Sequence, residues 1–160
     1  MQKCLFAGTF DPFTVGHEAV VSRALELFDE VVVAVMVNPN KTCFFSEEER
    51  LSFLKAQYEN EPRVTVVAER GLVIDVMNRF NIRHYVRGVR NGSDFDYETQ
   101  NYYASKSLGG DVCAVYFPAE QEMLAVSSTA VRLAMQNGKP YEAFLPQKTL
   151  PLVRTALSKK

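Results

Sequence analysis

Short runs of consecutive apolar residues alternate along this chain with longer stretches whose apolar positions recur every three or four residues. Lys3–Ala7 is such a run and stops at Gly8. In His17–Phe28, Val20, Val21, Ala24, Leu25 and Phe28 fall on one helical face. Glu30–Val37 (EVVVAVMV) is β-branched and almost wholly apolar, the pattern of a strand covered on both faces, and Asn38-Pro39-Asn40 ends it. Ser46-Glu47-Glu48-Glu49 has the form of a capping box, with Ser46 as N-cap and Glu49 at N3, and opens a helix running to about Tyr58. A third strand is predicted at Arg63–Ala68, then a helix marked by Val73, Val76, Met77 and Phe80, and a short strand at His84–Arg87. Asp94–Ser107 reads as a helix, Asp111–Phe117 as a fifth strand ended by Pro118, and Ser128–Gln136 as a helix stopped by Asn137-Gly138. A last helix covers Pro151–Leu157. Strands alternating with helices predict right-handed parallel crossovers. The fold class expected is α/β: one domain over residues 1–160 with a doubly wound, five-stranded parallel sheet.

Bulk properties narrow the function. A chain of 160 residues suits a single domain with a sizeable core. Eighteen basic against 19 acidic residues give a formal net charge of −1, so the basic excess of a nucleic-acid-binding domain is missing. No apolar run nears the roughly 20 residues of a membrane span, and no secretory leader is expected at the N-terminus. Nucleic acid and membrane are thus not expected as partners. Cys4, Cys43 and Cys113 have no metal-ligand spacing, and Cys4 and Cys113 lie in strand-like runs where buried thiols are expected. These features favour a reducing, cytoplasmic setting. An anionic ligand would have to be held by a few placed groups rather than by a broad field.

Such groups gather at one end of the predicted sheet. Ligands of open parallel sheets bind beyond the carboxyl ends of the strands, where strand order reverses. Gly8-Thr9-Phe10-Asp11-Pro12-Phe13-Thr14-Val15-Gly16-His17 follows strand one, Lys41 strand two, and Gly71-Leu72-Val73 strand three. Arg87-Gly88-Val89-Arg90 ends strand four, and Ser127-Ser128-Thr129 closes the connection after strand five. Five loops are therefore expected around one ligand. His17 stands at a helix start, where free N–H groups and the helix dipole favour a phosphate. On their own, Lys41 reads as a solvated loop lysine, Glu98 as a helix-face charge, His84 as a structural strand histidine and the three hydroxyls as caps.

Thr14-Val15-Gly16-His17 resembles the T/H-x-G-H signature of the nucleotidyltransferase superfamily, and Val126-Ser127-Ser128-Thr129-Ala130-Val131-Arg132 its second signature, I-S-S-T-x-x-R. Gly8–Pro12, Arg87–Arg90, Asp94-Phe95-Asp96-Tyr97-Glu98 and Phe144-Leu145-Pro146 extend the resemblance, over essentially the whole chain, to bacterial phosphopantetheine adenylyltransferases. The resemblance implies a Rossmann-like nucleotidyltransferase fold. It also implies transfer of the AMP portion of ATP to 4′-phosphopantetheine, giving dephospho-coenzyme A and pyrophosphate. His17 would stabilise the transition state, with Lys41 and Arg90 also catalytic. ATP would meet Thr9, Phe10, His17, Gly88, Val89, Arg90 and Glu98, and the segment Met123, Leu124, Ala125, Val126, Ser127, Ser128 and Thr129. The 4′-phosphopantetheine would meet Thr9, Lys41, Leu72, Val73 and Arg87. Mg2+ is expected with ATP, held by phosphates and water, with no protein ligand assigned. A homohexamer and inhibition by coenzyme A are expected by the same resemblance.

The chemistry agrees with those residue types. A phosphate is already an anionic nucleophile near neutral pH, so the reaction needs alignment and positive charge more than a base. Met123 stands where many relatives carry Trp, which bears on contacts at residues 123–126. Two rivals remain: a superfamily member acting on nicotinamide mononucleotide or making a cytidine-diphosphate alcohol, and a sensor that binds ATP or coenzyme A without turnover. A dinucleotide-binding dehydrogenase is disfavoured, because no G-x-G-x-x-G follows the first strand.

Overall fold

In the computed structural model, which describes residues Met1 to Lys160, five strands form one sheet. They are β1 (Lys3–Gly8), β2 (Glu30–Val37), β3 (Val64–Arg70), β4 (His84–Val89) and β5 (Cys113–Pro118). Their spatial order is β3-β2-β1-β4-β5, and every neighbouring pair is parallel. The helices are α1 (Val15–Leu27), α2 (Glu47–Tyr58), α3 (Val73–Arg79), α4 (Gly92–Ser107), α5 (Ser128–Gln136) and α6 (Leu150–Leu157). The sequence-based α/β sheet is borne out.

The alternation within the central strands explains why both faces are covered. Cys4 and Phe6 of β1 and Val31, Val33 and Val35 of β2 pack with Val20, Val21 and Ala24 of α1 and Leu54 of α2. Leu5, Ala7, Val32 and Ala34, one residue out of phase, pack on the other face with Ile74, Val76 and Met77 of α3. Successive side chains of a strand point to opposite faces, so an unbroken apolar run such as β2 serves two cores. Strand order reverses between β1 and β4, which pair through Cys4–His84 and Leu5–Tyr85. The carboxyl ends of these strands are Gly8 and Val89.

A third core holds the C-terminal part against this body. Phe45, Phe53 of α2, Val131 and Met135 of α5, Leu145, and Val153 and Ala156 of α6 form it. It fixes α5, whose first residues belong to the site described below.

Several bounds differ from the pattern-based ones. Helix α1 begins two residues early because Thr14 caps it, and it ends at Leu27, Phe28 being extended with φ −121°. Asn91 caps α4 by accepting from the Asp94 N–H, so that helix opens at Gly92. Strands β3 and β4 each run two residues further, to Arg70 and Val89, because their ladders with β2 and β5 continue. Cys4 is fully buried as expected, and burial pushes its thiol up to about 12. Cys113 is only half-buried, since β5 is an edge strand. His84 packs its ring 5.4 Å from that of Phe28 and is structural.

Because Phe53 joins α2 to α5 across the third core and is 1% exposed, Phe53→Ala is expected to cost about 3–5 kcal/mol. A urea titration should show the midpoint falling with an unchanged slope.

Candidate active site

The loop after β1 is fastened from several sides before any ligand is considered. The Asp11 carboxylate is buried and accepts from the N–H groups of Phe44 (2.7 Å) and Phe45 (2.8 Å). The Arg132 guanidinium donates to the Asp11 carbonyl at 2.7 Å and to Thr129 Oγ1 at 3.2 Å. Ser128 Oγ donates to the Pro12 carbonyl at 2.8 Å, tying α5 to the same loop. Gly8 leaves room for the return of the chain: a Cβ there would stand 2.9 Å from the Phe10 ring. At Gly88 the fit is similar, since a Cβ would lie 2.8 Å from Val20 Cγ2, so α1 can approach β4 closely.

Two adjoining cavities open at this sheet edge. The first, of about 390 Å³, is lined by residues from β1, α1, the end of β4, α4 and the connection after β5. The second, of about 540 Å³, is lined by Lys41, Thr42, Cys43, Phe44, Asp11, Arg132 and Gln136. Thr9, Phe10, His17, Ser128 and Thr129 border both, and so form the partition through which two ligands could meet.

His17 is the centre of that partition. It occupies the third position of α1 and completes a capping box with Thr14. The Thr14 N–H donates to His17 Nδ1 at 3.0 Å, and the His17 N–H donates to Thr14 Oγ1 at 3.4 Å. An N–H facing Nδ1 requires a lone pair there, so the ring proton resides on Nε2, which is left for the cavities. The imidazole is boxed by Phe13, nearly parallel at 5.3 Å, by Phe10, edge-on at 5.1 Å, and by Phe6 at 6.1 Å. Burial first, and then the charges of Arg90 and Arg87, lower its pKa to about 4. Near neutral pH it is an uncharged, oriented N–H donor.

The surrounding cations differ in their freedom. Arg87 Nε pairs with Glu98 at 3.1 Å, and its guanidinium also donates to the Ala7 carbonyl. Arg90 grips Asp94 with Nε at 3.0 Å and a second nitrogen at 3.4 Å, and it reaches the Val126 carbonyl at 3.4 Å. The Arg90 hydrogen bonds hold the Asp94 carboxyl below its usual range. Lys41 pairs with no carboxylate and donates to Thr9 Oγ1 at 3.5 Å. At the start of α5, Ser127 Oγ accepts from the Ala130 N–H. The amides of Ser128 and Thr129 donate to no protein group. First-turn amides of this kind suit an anion.

Residues 5–134 match the cytidylyltransferase-like family. The chain is 37% identical over 156 residues to the phosphopantetheine adenylyltransferase of Campylobacter fetus subsp. fetus, covering 98% of both chains. It is 39% identical over 158 residues to that of Cutibacterium acnes, covering 99% of this chain and 98% of the relative. With the enzyme of Phocaeicola vulgatus it shares 40% identity over 147 residues, covering 92% of this chain and 97% of the relative. The chain belongs to the phosphopantetheine adenylyltransferase family.

Within that family frame, most residues singled out from the sequence meet at the two cavities. Thr9, Phe10, His17, Arg87, Gly88, Arg90, Glu98, Met123, Val126, Ser127, Ser128 and Thr129 line the first, and Lys41 the second. Val89, Leu124 and Ala125 line neither. The Val89 carbonyl accepts from the Ala119 N–H at 2.8 Å, while Leu124 and Ala125 are exposed. Leu72 and Val73 line neither of these two cavities; they follow β3, an edge strand that β2 separates from the reversal between β1 and β4. Leu72 is 53% exposed, and Val73 packs at the edge of the second core. Sequence reasoning missed Arg23 and Glu120, which line the first cavity, and gave Asp94, Tyr97 and Arg132 no role beyond the motifs they belong to. Arg23 reaches Glu120 at 2.6 Å across that cavity.

The lowered His17 pKa has a consequence for stability. The unfolded chain takes up the proton near pH 6.5 and the folded chain only near 4, so stability falls with pH across that window and the loss stops below it. His17→Gln removes this contribution. Between pH 7 and 4.5 the wild type should lose about 2–3 kcal/mol more than the variant, read from urea unfolding at both pH values.

Proposed function

We propose that the chain transfers the adenylyl group of ATP to 4′-phosphopantetheine by one in-line displacement, giving dephospho-coenzyme A and pyrophosphate. An oxygen of the acceptor phosphate forms a bond to the α-phosphorus of ATP. The bond from that phosphorus to the bridging oxygen breaks, and pyrophosphate departs with the electron pair. The observation carrying this reading is the neutral His17 with Nε2–H free, standing between two cavities edged by cations and hydroxyls. A fixed neutral donor stabilises the charge that builds on the transferring phosphoryl group without binding the ground-state anion as strongly as a cation would.

The nucleotide belongs to the first cavity. There Gly88 and Val20 give it a close, apolar wall, and the Ser128 and Thr129 amides and Arg90 stand ready for its phosphates. For Arg90 to use its planar fork on a phosphate, it must share or release Asp94. The acceptor phosphate enters from the second cavity, where Lys41, unpaired with any carboxylate, supplies a point charge beside Thr9. Arg87, held by Glu98 and the Ala7 carbonyl, reaches the first cavity rather than the second. Its assignment to the acceptor, like those of Leu72 and Val73, which line neither cavity, rests on the family resemblance.

Magnesium has no carboxylate cage here. No cluster of three or more His, Cys, Asp or Glu side chains could hold a metal ion, and both Asp94 and Glu98 are engaged by arginines. Mg2+ would enter on the phosphates of ATP with its water shell. A homohexamer, inhibition by coenzyme A and a reducing cytoplasm, in keeping with three free thiols, complete the proposal. No helix is long and apolar enough to cross a membrane.

Purified protein incubated with ATP and 4′-phosphopantetheine should release pyrophosphate. Release with nicotinamide mononucleotide instead, or with no acceptor tried, contradicts the assignment. Removing an oxyanion-type donor costs roughly two to three orders of magnitude in turnover. His17→Ala should show that loss in kcat while the KM values for ATP and acceptor stay within about threefold. Lys41→Met should mainly raise the KM for the acceptor, by an estimated factor on the order of ten.

A further inference from the structure

The Thr9–Phe10 peptide lies on the partition, since both residues border both cavities. Arg50 of α2 reaches it from behind: it lines neither cavity and is 3% exposed. Its guanidinium donates to the Thr9 carbonyl at 2.8 Å, the Phe45 carbonyl at 3.2 Å and the Met36 carbonyl at 3.5 Å. Each of these partners is neutral, and no ion pair of the chain includes Arg50; Asp11, which anchors the same loop, pairs with Arg132 instead. A buried guanidinium without a counter-ion is expensive to fold around, and an apolar side chain would fill the same space more cheaply.

Peptide geometry indicates what the charge does. The Thr9–Phe10 bond is trans, so its C=O and N–H point to opposite sides. With the carbonyl drawn back to Arg50, the Phe10 N–H is directed away from it, to the side on which the two residues meet the cavities. That N–H donates to no protein group. Phe10 also sits at φ +50°, a left-handed conformation that a bulky residue keeps only when its surroundings impose it.

We propose that Arg50 is a positioning residue: by gripping the Thr9 carbonyl it aims the Phe10 N–H at the junction of the two cavities, as a fixed donor to a phosphoryl oxygen. Its uncompensated charge adds positive potential behind that donor. The inference rests on the adenylyl-transfer reading for its kinetic consequence, but not for the anion contact itself.

The test compares wild type, Arg50→Met and Arg50→Lys, each first shown to be folded by circular dichroism. Loss of one preorganised donor predicts a kcat for R50M lower by roughly 10- to 100-fold, with KM for both substrates within about threefold. R50K, which keeps the charge and one carbonyl bond, should recover most of that loss. A folded R50M with wild-type kcat overturns the proposal. Should R50M not fold, the amide signal of Phe10 in 15N-phenylalanine-labelled protein decides. Titration with inorganic pyrophosphate should move it downfield in wild type and less in R50K, and a signal that pyrophosphate leaves in place in wild type overturns the proposal. Wild-type protein that transfers no adenylyl group, yet shows a pyrophosphate shift that shrinks in R50K, would sink the proposed function and leave the Arg50 assignment standing, whereas an equal shift in R50K overturns that assignment.

Discussion

A hydrogen bond from the Thr14 N–H to His17 Nδ1 sets the chemistry of this site. It lies within the first turn of α1, where the backbone would otherwise leave that donor without a partner. The same contact that starts the helix fixes the ring's tautomer, and it leaves Nε2–H for the cavities. Three phenylalanine rings then deny the imidazole the water that protonation would need, and two arginines oppose the added charge. Helix capping, core packing and the proposed donor role thus fall on one side chain, so changes at Phe6, Phe10 or Phe13 alter the donor as well as the core.

The site gathers cations in a chain whose net charge is −1 by giving most of them partners. Glu98 holds Arg87, Asp94 holds Arg90, and Glu120 holds Arg23, which keeps the guanidinium groups placed and limits their mutual repulsion. Lys41 and Arg50 differ from these in having no carboxylate. One is exposed and borders the second cavity, whereas the other is buried and holds the backbone. An enzyme that must bind two anionic substrates and release two anionic products gains from cations that are oriented but not all fully available.

Much of this was legible beforehand, for reasons that differ by element. Strand β2 declared itself because a strand covered on both faces has to be apolar throughout. The Ser46–Glu49 capping box was visible because Glu at N3 is its usual partner. The Thr14–His17 box escaped because histidine seldom plays that part, and the start of α1 was accordingly placed late. Leu72 and Val73 are assigned to the pantetheine arm by the family resemblance, and they stand at the end of the edge strand β3, outside the two cavities. Arg50 gave no signal at all. Within its helix it reads as one charge among Glu47, Glu48 and Glu49, and its burial arises only where the ends of β1 and β2 meet the loop before α2.

The proposed direct displacement has one stereochemical consequence. If the acceptor oxygen meets phosphorus opposite the departing pyrophosphate, with no group on the protein intervening, configuration at that phosphorus must change once. ATP made chiral at the α-phosphorus by isotopic or sulfur substitution reports this. Dephospho-coenzyme A formed with inversion is the result this account predicts. Retention would reveal two successive displacements through a covalent adenylyl-enzyme and would contradict it.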